Sequence, residues 1–410
     1  MLPPLILFGA FDRHNLGDLL LGRIAAAMAA RLAPGRPLAW AGLAGRDLRA
    51  VGGAQVETLE TIAGRCMQQA PGLAPPDLLQ VGGEILGCSA WEAAVMLAEP
   101  GQVVALIAAH DSDLAGRDAW ARGRLGIART LPYLSPRHLF PPGARVAHAG
   151  TGGVAFEHLP AAARAEALDA LRTAAALHVR DRRTQVALAA AGIDAALAPD
   201  PAALVERLFG DEIARHTAQG EPAAIRARFP QGWIATQLSA EFGDDASLDT
   251  LAADLDRLHQ DTGFGLVLFC AGRAPWHDDP AVLHRLRTRL KHHAECIVAD
   301  SEHLFALCAL IAGAHLCLAS SLHVRIVAEA FARPAISLVQ ASAQGEKLRA
   351  YLDTWHGDAP LVHELGTGPS IRLTRSALVR SAVKCASHNR ELASLAETAL
   401  QRCFAALHRS

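Results

Sequence analysis

The stretch CLASSLHVRIVAEAFARPAISLV, residues 317–339, places a histidine where two patterns meet. Cys317 to Ala319 closes an apolar run with the length of a buried strand. Val324, Val327, Ala328 and Phe331 then recur at i, i+3, i+4 and i+7, the spacing of one helix face. Arg333-Pro334 ends that helix, since proline cannot continue it, and Ala335 to Val339 reads as the next strand. His323 therefore falls where a strand hands over to a helix N-terminus, the position at which open α/β sheets gather ligands. An imidazole there can give or take protons near neutral pH. Ser320 and Ser321 offer hydroxyls beside it, and Ser321 also suits a helix cap.

Other residues have the types and positions to bind. In ALHVRDRRTQVALAAAGI, Ala176 to Val179 reads as a strand with Arg180 at its carboxyl end. A guanidinium there can clamp a carboxylate or phosphate with two parallel donors; a structural contact to Asp181 or to backbone is the alternative. Asp181 suits the N-cap of the next helix and Gly192 its C-terminal end. Gly9, Asn15, Gly17 and Asp18 form a loop after the first strand that can turn backbone N–H groups toward an anion. The plainer reading has Asn15 shaping the turn and Asp18 capping the helix. Gly82-Gly83 ends another strand, where glycine permits either a close approach to a ligand or a tight turn. His148 reads as the end of a strand before AGTGG. His277-Asp278-Asp279 has metal-binding residue types, although helix entry accounts for the acidic pair more simply.

The elements that must position these groups alternate. Strands read at Leu5–Ala10, Leu38–Gly42, Asp77–Val81, Val103–Ala108, Arg145–Ala149 and Ala176–Val179. Helices fill most of the gaps, notably Leu19–Leu32, Ala161–Ala174 and Thr184–Ala191. A second series follows: Trp233–Leu238, Leu266–Cys270, Cys296–Ala299, His315–Ala319 and Ala335–Val339. Alternation of this kind implies mostly parallel, doubly wound sheets. We expect two Rossmann-like α/β domains facing a central cleft: residues 1–205, a connector at 206–230, residues 231–345, and a helical tail at 346–410. Arg180 and His323 would both border that cleft. Residues 110–143 are the least regular and suit a mobile segment over a site.

Composition limits the function classes. With 410 residues, 51% hydrophobic and 20% charged, the chain can bury sizeable cores. Its net charge of −2 gives no electrostatic footprint for nucleic acid or an anionic membrane. The eight cysteines show no C-x-x-C and no metal-ligand spacing, so buried reduced thiols are expected at Cys270, Cys308 and Cys317. The N-terminus lacks the basic region and cleavage site of a signal peptide. Leu304 to Ala319 is too short and interrupted for a membrane span and reads as helix, then strand. A cytoplasmic protein without a metal or bound cofactor is the expectation.

Taken together, FGAFDRHNLGDLLL, DLLQVGGEILG, LHVRDRRTQVALAAAGI with APDPAAL, and ASSLHVRIVAEAFARPAISL resemble the polysaccharide pyruvyl transferase family over roughly residues 5–340. The Val-Arg-Asp and Ser-Leu-His segments carry most of the resemblance. It implies a fold similar to B-type glycosyltransferases and transfer of the enolpyruvyl unit of phosphoenolpyruvate onto two sugar hydroxyls, giving a cyclic ketal and phosphate. Phosphoenolpyruvate is then donor substrate and not cofactor, and the acceptor is a sugar or lipid-linked glycan of a cell-surface or exopolysaccharide precursor. Peripheral association with a membrane is compatible with such an acceptor. His323 would be catalytic, with Arg180, Arg325, Ser320 and Ser321 toward the donor. Many relatives carry arginine two residues before the histidine; this chain has Ser321. A nucleotide-sugar glycosyltransferase of similar architecture, or a non-catalytic relative binding a glycan or a partner enzyme, are the competing readings.

Overall fold

The computed structural model describes residues 4–68, 74–340, 345–357, 362–365, 371 and 375–408, with backbone alone for 375–385. The chain divides into two units. One comprises Met1–His14, Asp18–Pro201 and Leu395–Ser410; the other comprises Asn15–Gly17 and Ala202–Ser394.

Among the described residues the first unit is built on an eight-stranded sheet. Its strands are β1 (Leu5–Phe8), β2 (Leu38–Gly42), β3 (Arg46–Asp47), β4 (Gln55–Thr58), β5 (Asp77–Val81), β6 (Arg145–Thr151), β7 (Ala176–Val179) and β8 (Ala196–Leu197). They lie in the order β3-β4-β2-β1-β5-β6-β7-β8, parallel except for β3 against β4. LILF of β1 and DLLQV of β5 are buried throughout. Strands covered on both faces by helices need this near-continuous apolar character. Order reverses between β1 and β5, so the crevice of this sheet opens there. Gly9 follows β1 and Gly82-Gly83 follows β5.

The second unit has six described strands: β9 (Trp233–Gln237), β10 (Gly265–Leu268), β11 (Cys296–Val298), β12 (Leu316–Ala319), β13 (Ala335–Val339) and β14 (Val362–Glu364). All pair in parallel, in the order β11-β10-β9-β12-β13-β14. Here the order reverses between β9 and β12. Each unit has its own apolar core, one including Ile6, Leu78 and Val179, the other Ile234, Leu266 and Leu318.

Several expectations are corrected. Val103–Ala108 is not a strand: Val103–His110 is a helix with no buried residue. Its apolar run mimics a strand, but the 3₁₀ turn Pro100–Gln102 leads into a helix rich in alanine. The sheet also has no vacancy, since β5 pairs directly with β6. Residues 110–143 are not loose cover. They hold the helix Leu114–Leu125, and further on the N–H groups of Thr130 and Leu131 both donate to Glu166 at 2.8 Å. Arg129 pairs with Glu60, and Tyr133 is buried with its hydroxyl donating to Asp12 at 3.1 Å.

Residues 206–230 form most of the helices Val205–Thr217 and Gly220–Arg228, which pack with the helix Leu304–Gly313 inside the second unit. The tail carries β14 as well as the helix Arg375–Leu407, whose residues from Leu395 onward count with the first unit. Leu304–Ala319 resolves into a helix and β12 as expected, and no helix of the described residues is long and apolar enough to cross a membrane. Cys270, Cys308 and Cys317 are buried free thiols, each pushed up to about 12 by burial.

Candidate functional site

The second unit brings together residues from three distant parts of the chain at the crevice between β9 and β12. Ser321 caps the helix Leu322–Ala330, its hydroxyl accepting the Val324 N–H at 3.4 Å. Amphipathic spacing predicts one buried face. Instead the helix is enclosed almost all round, with Leu322, Val324, Ile326, Val327 and Ala328 at 3% exposure or less. Among its described residues only His323 is not buried. It stands half-buried at the helix N-terminus.

Gln237, the last residue of β9, ties the two sides of the crevice together. Its side-chain oxygen accepts the Ser321 N–H at 2.9 Å, and its amide nitrogen donates to Asp278 Oδ1 at 2.8 Å. Ser320 Oγ accepts the Ser239 N–H at 2.9 Å. Asp278 Oδ2 accepts the Ala271 N–H at 2.6 Å. Burial pushes the Asp278 carboxyl up to about 7, against the pull of those donors. Asp279, by contrast, caps the helix Pro280–Arg289 through the Ala281 N–H at 2.8 Å. Of the acidic pair, then, only Asp279 serves helix entry; Asp278 orients Gln237.

The loop Asn15–Gly17 belongs to this same unit. Asn15 pairs with Gly272 in an isolated antiparallel bridge, and the Leu16 N–H donates to Ala271 O at 2.7 Å. Asn15 Oδ1 accepts the Gly17 N–H at 3.0 Å, and Asn15 Nδ2 lies 3.2 Å from His277 Nδ1. Gly17 touches His323: a Cβ at Gly17 would stand 2.0 Å from the imidazole Nδ1. Asn15 thus makes the capping contact expected of Asp18. Asp18 is instead ion-paired to Arg13 at 2.8 Å in the first unit.

Arg180 and Arg325 both turn inward. Arg180 is 3% exposed and lies between Glu84 Oε2 at 2.8 Å and Asp200 Oδ2 at 3.1 Å. A guanidinium flanked by two carboxylates has most of its attraction for a further anion already spent within the fold. Asp181, considered from sequence as a partner, adds its negative charge to theirs, and it caps the helix Arg182–Ala190 through the Thr184 N–H at 2.7 Å, as expected. Arg325 is buried, pairs with Glu329 at 2.9 Å, and donates to Ser337 Oγ at 2.9 Å. It holds its helix to β13 and is no substitute for a donor-facing arginine.

The glycine loop of the first unit serves its own turn. Gly82 and Gly83 have φ of 49° and 83°, a region that favours glycine. The Gly82 N–H donates to Ala149 O at 2.7 Å, and Gly83 O accepts the Gly152 N–H at 2.8 Å. At Gly9 a Cβ would stand 2.8 Å from the Phe11 ring, so close packing alone demands glycine. His148 is not at a strand end: it lies inside β6, 0% exposed, with burial drawing its pKa down to about 4.

Sequence reasoning therefore singled out Asn15, Gly17, Ser320, Ser321 and His323, and the fold assembles all five in one unit. It passed over Gln237 and gave Asp278 the wrong role. A polar residue ending the apolar strand WIATQ is the signal that would have identified Gln237.

Residues 152–342 match the family model for polysaccharide pyruvyl transferase. The match includes Arg180, Gln237, Asp278 and His323. Among curated proteins none matches the chain. Solved structures similar to it include the E. coli ADP-heptose LPS heptosyltransferase II, at 13% identity and TM-score 0.43 over 95% of this chain and 100% of that one. The UDP-GlcNAc 2-epimerase from Neisseria meningitidis is 11% identical, with TM-score 0.45 over 96% and 94%. The alpha,alpha-trehalose 6-phosphate synthase from Burkholderia multivorans is 12% identical, with TM-score 0.46 over 99% and 98%.

Proposed function

We propose, from the premise that residues 152–342 carry a polysaccharide pyruvyl transferase domain, that this chain transfers the enolpyruvyl unit of phosphoenolpyruvate to two hydroxyls of a sugar in a cell-surface or exopolysaccharide precursor. The observation that carries the reading is the presentation of His323. It is the one described residue of an otherwise buried helix that is not itself buried, and it stands at the crevice of its sheet.

The chemistry asks for what an imidazole supplies. A proton must reach the methylene carbon of the enol phosphate as one acceptor oxygen bonds to the adjacent carbon. The second hydroxyl then bonds to that carbon and phosphate leaves, while each hydroxyl gives up its proton. One group cycling between acid and base serves these steps, and a positioned one contributes about 10²–10⁴-fold in rate. Helix N–H groups near His323 suit an anionic donor. With Arg180 and Arg325 held by protein carboxylates, those N–H groups take a larger share of donor binding in this reading.

Incubating the purified chain with phosphoenolpyruvate and lipid-linked or nucleotide-linked sugars tests it. Acceptor-dependent phosphate release, together with a gain in acceptor mass equal to a pyruvyl ketal, is expected. Transfer of a sugar from a nucleotide-linked donor with no use of phosphoenolpyruvate would replace this reading with a glycosyltransferase.

A further inference from the structure

Two separate supports of the His323 imidazole meet at one carboxyl group, that of Asp278. On one side Asp278 Oδ1 accepts the Gln237 amide at 2.8 Å, and Gln237 Oε1 accepts the Ser321 N–H at 2.9 Å. Ser321 caps the helix that carries His323 in its first turn. On the other side Asp278 Oδ2 accepts the Ala271 N–H at 2.6 Å, and Ala271 O accepts the Leu16 N–H at 2.7 Å. Leu16 is followed by Gly17, against which the imidazole packs. The backbone of Asp278 is held as well, its N–H donating to Gly272 O at 3.3 Å, and Gly272 bridges Asn15. All of these residues belong to the second unit.

The direction of each bond follows from groups that can only donate. Ser321 and Ala271 each present a backbone N–H, so an oxygen must face each of them. Gln237, 1% exposed, therefore turns its oxygen to Ser321 and its nitrogen to Asp278. The residue at 278 must then accept from Gln237 and from Ala271 together. A carboxylate has an acceptor on both atoms; an amide has one acceptor and one donor. An N–H turned toward another donor is costly where water cannot replace the lost partner. We propose that Asp278 is a positioning residue for His323. By fixing the Gln237 amide and the Ala271–Leu16 backbone at once, it holds the start of the histidine's helix and the Gly17 wall in one relative placement. This assignment rests on the function proposed above, in which His323 moves protons, and deepens it by naming what aims the imidazole.

The test uses the full chain with isotope-labelled histidine, the NMR signal of the His323 ring being identified by its absence from His323→Gln. Asp278→Asn keeps the shape of the side chain but removes one acceptor. Either the Ala271 N–H or, if the Gln237 amide turns over, the Ser321 N–H then loses its oxygen. The His323 signal should shift or split, and turnover in the phosphate-release assay should fall about 10²-fold, the scale for a misplacement near 1 Å. Adding Gln237→Glu to Asp278→Asn exchanges amide and carboxylate, so every N–H again faces an oxygen. Signal and turnover should both return toward wild type. Asp279→Ala removes only the neighbouring helix cap; it should lower the melting temperature and leave the signal in place. An unmoved signal in Asp278→Asn, no recovery in the double variant, or an equal shift in Asp279→Ala would each overturn the assignment. So would a loss of cooperative melting in Asp278→Asn that the double variant does not restore. The expected NMR pattern in a chain that releases no phosphate from phosphoenolpyruvate would leave the positioning of His323 standing and remove the transferase reading instead.

Discussion

The imidazole of His323 occupies the space that a side chain on Gly17 would need, with a Cβ there falling 2.0 Å from Nδ1. Two residues more than 300 positions apart are thereby locked together, since one must be glycine for the other to keep its rotamer. Gly17 lies in the first turn of the helix Leu16–Leu32. Alanine there improves intrinsic helix propensity by about 0.8–1 kcal/mol but evicts the ring. Gly17→Ala is expected to lose most turnover while melting within a few degrees of wild type. Retained turnover would show that His323 works from a different position.

Substitutions of His323 itself separate proton transfer from binding. His323→Ala should fold normally, because its buried helix neighbours supply the packing, and lose about 10²–10⁴-fold in turnover. His323→Gln keeps polarity and approximate size but cannot titrate, so it should lose a similar factor. Near-wild-type kcat for the glutamine variant would confine His323 to a binding role. A loss of cooperative melting in both would make it structural.

Arg180 is expected to matter first for stability. Removing it leaves Asp200, which is 0% exposed, without its close cation. Breaking a buried pair in this way costs about 3–5 kcal/mol. Arg180→Ala should lower the denaturant midpoint sharply; Arg180→Lys should lower it less, since it keeps a cation for Asp200, but still lower it, since a single ammonium cannot span Glu84 and Asp200 as a fork does. An unchanged midpoint with a raised KM for phosphoenolpyruvate would reassign Arg180 to the donor.

Asp278 predicts a pH signature in stability. Its folded pKa, about 7, lies above the usual 3.8 because of burial. The native state therefore holds the proton more tightly, so the contribution is fully present below the unfolded pKa and is lost as pH rises through about 7. Buried His148, whose pKa is drawn down to about 4, acts in the opposite direction across an overlapping window. The difference between wild type and Asp278→Asn isolates the carboxyl: wild type should lose stability relative to the variant from pH 4 toward 7. A pH-independent difference in denaturant unfolding would contradict this.

The sequence by itself determined the two α/β series and most of their strands, because fully buried parallel strands must be runs of apolar residues whatever surrounds them. Ala176–Val179 and Ala335–Val339 are read with their bounds as observed. It also determined that His323 stands at a strand-to-helix junction, since Ser321 and the apolar spacing after it are local signals. It misread Val103–Ala108 because hydrophobicity does not reveal whether a sheet has a place left; the direct pairing of β5 with β6 decided that. Only tertiary structure decided which charges are committed. Arg180 and Arg325 resemble ligand clamps until Glu84, Asp200 and Glu329 are brought beside them. The same holds for Gly17 beneath His323 and for Gln237 between Ser321 and Asp278. Contacts across such sequence distances follow from strand order, and strand order is set by the burial of whole sheets and not by any local pattern of residues.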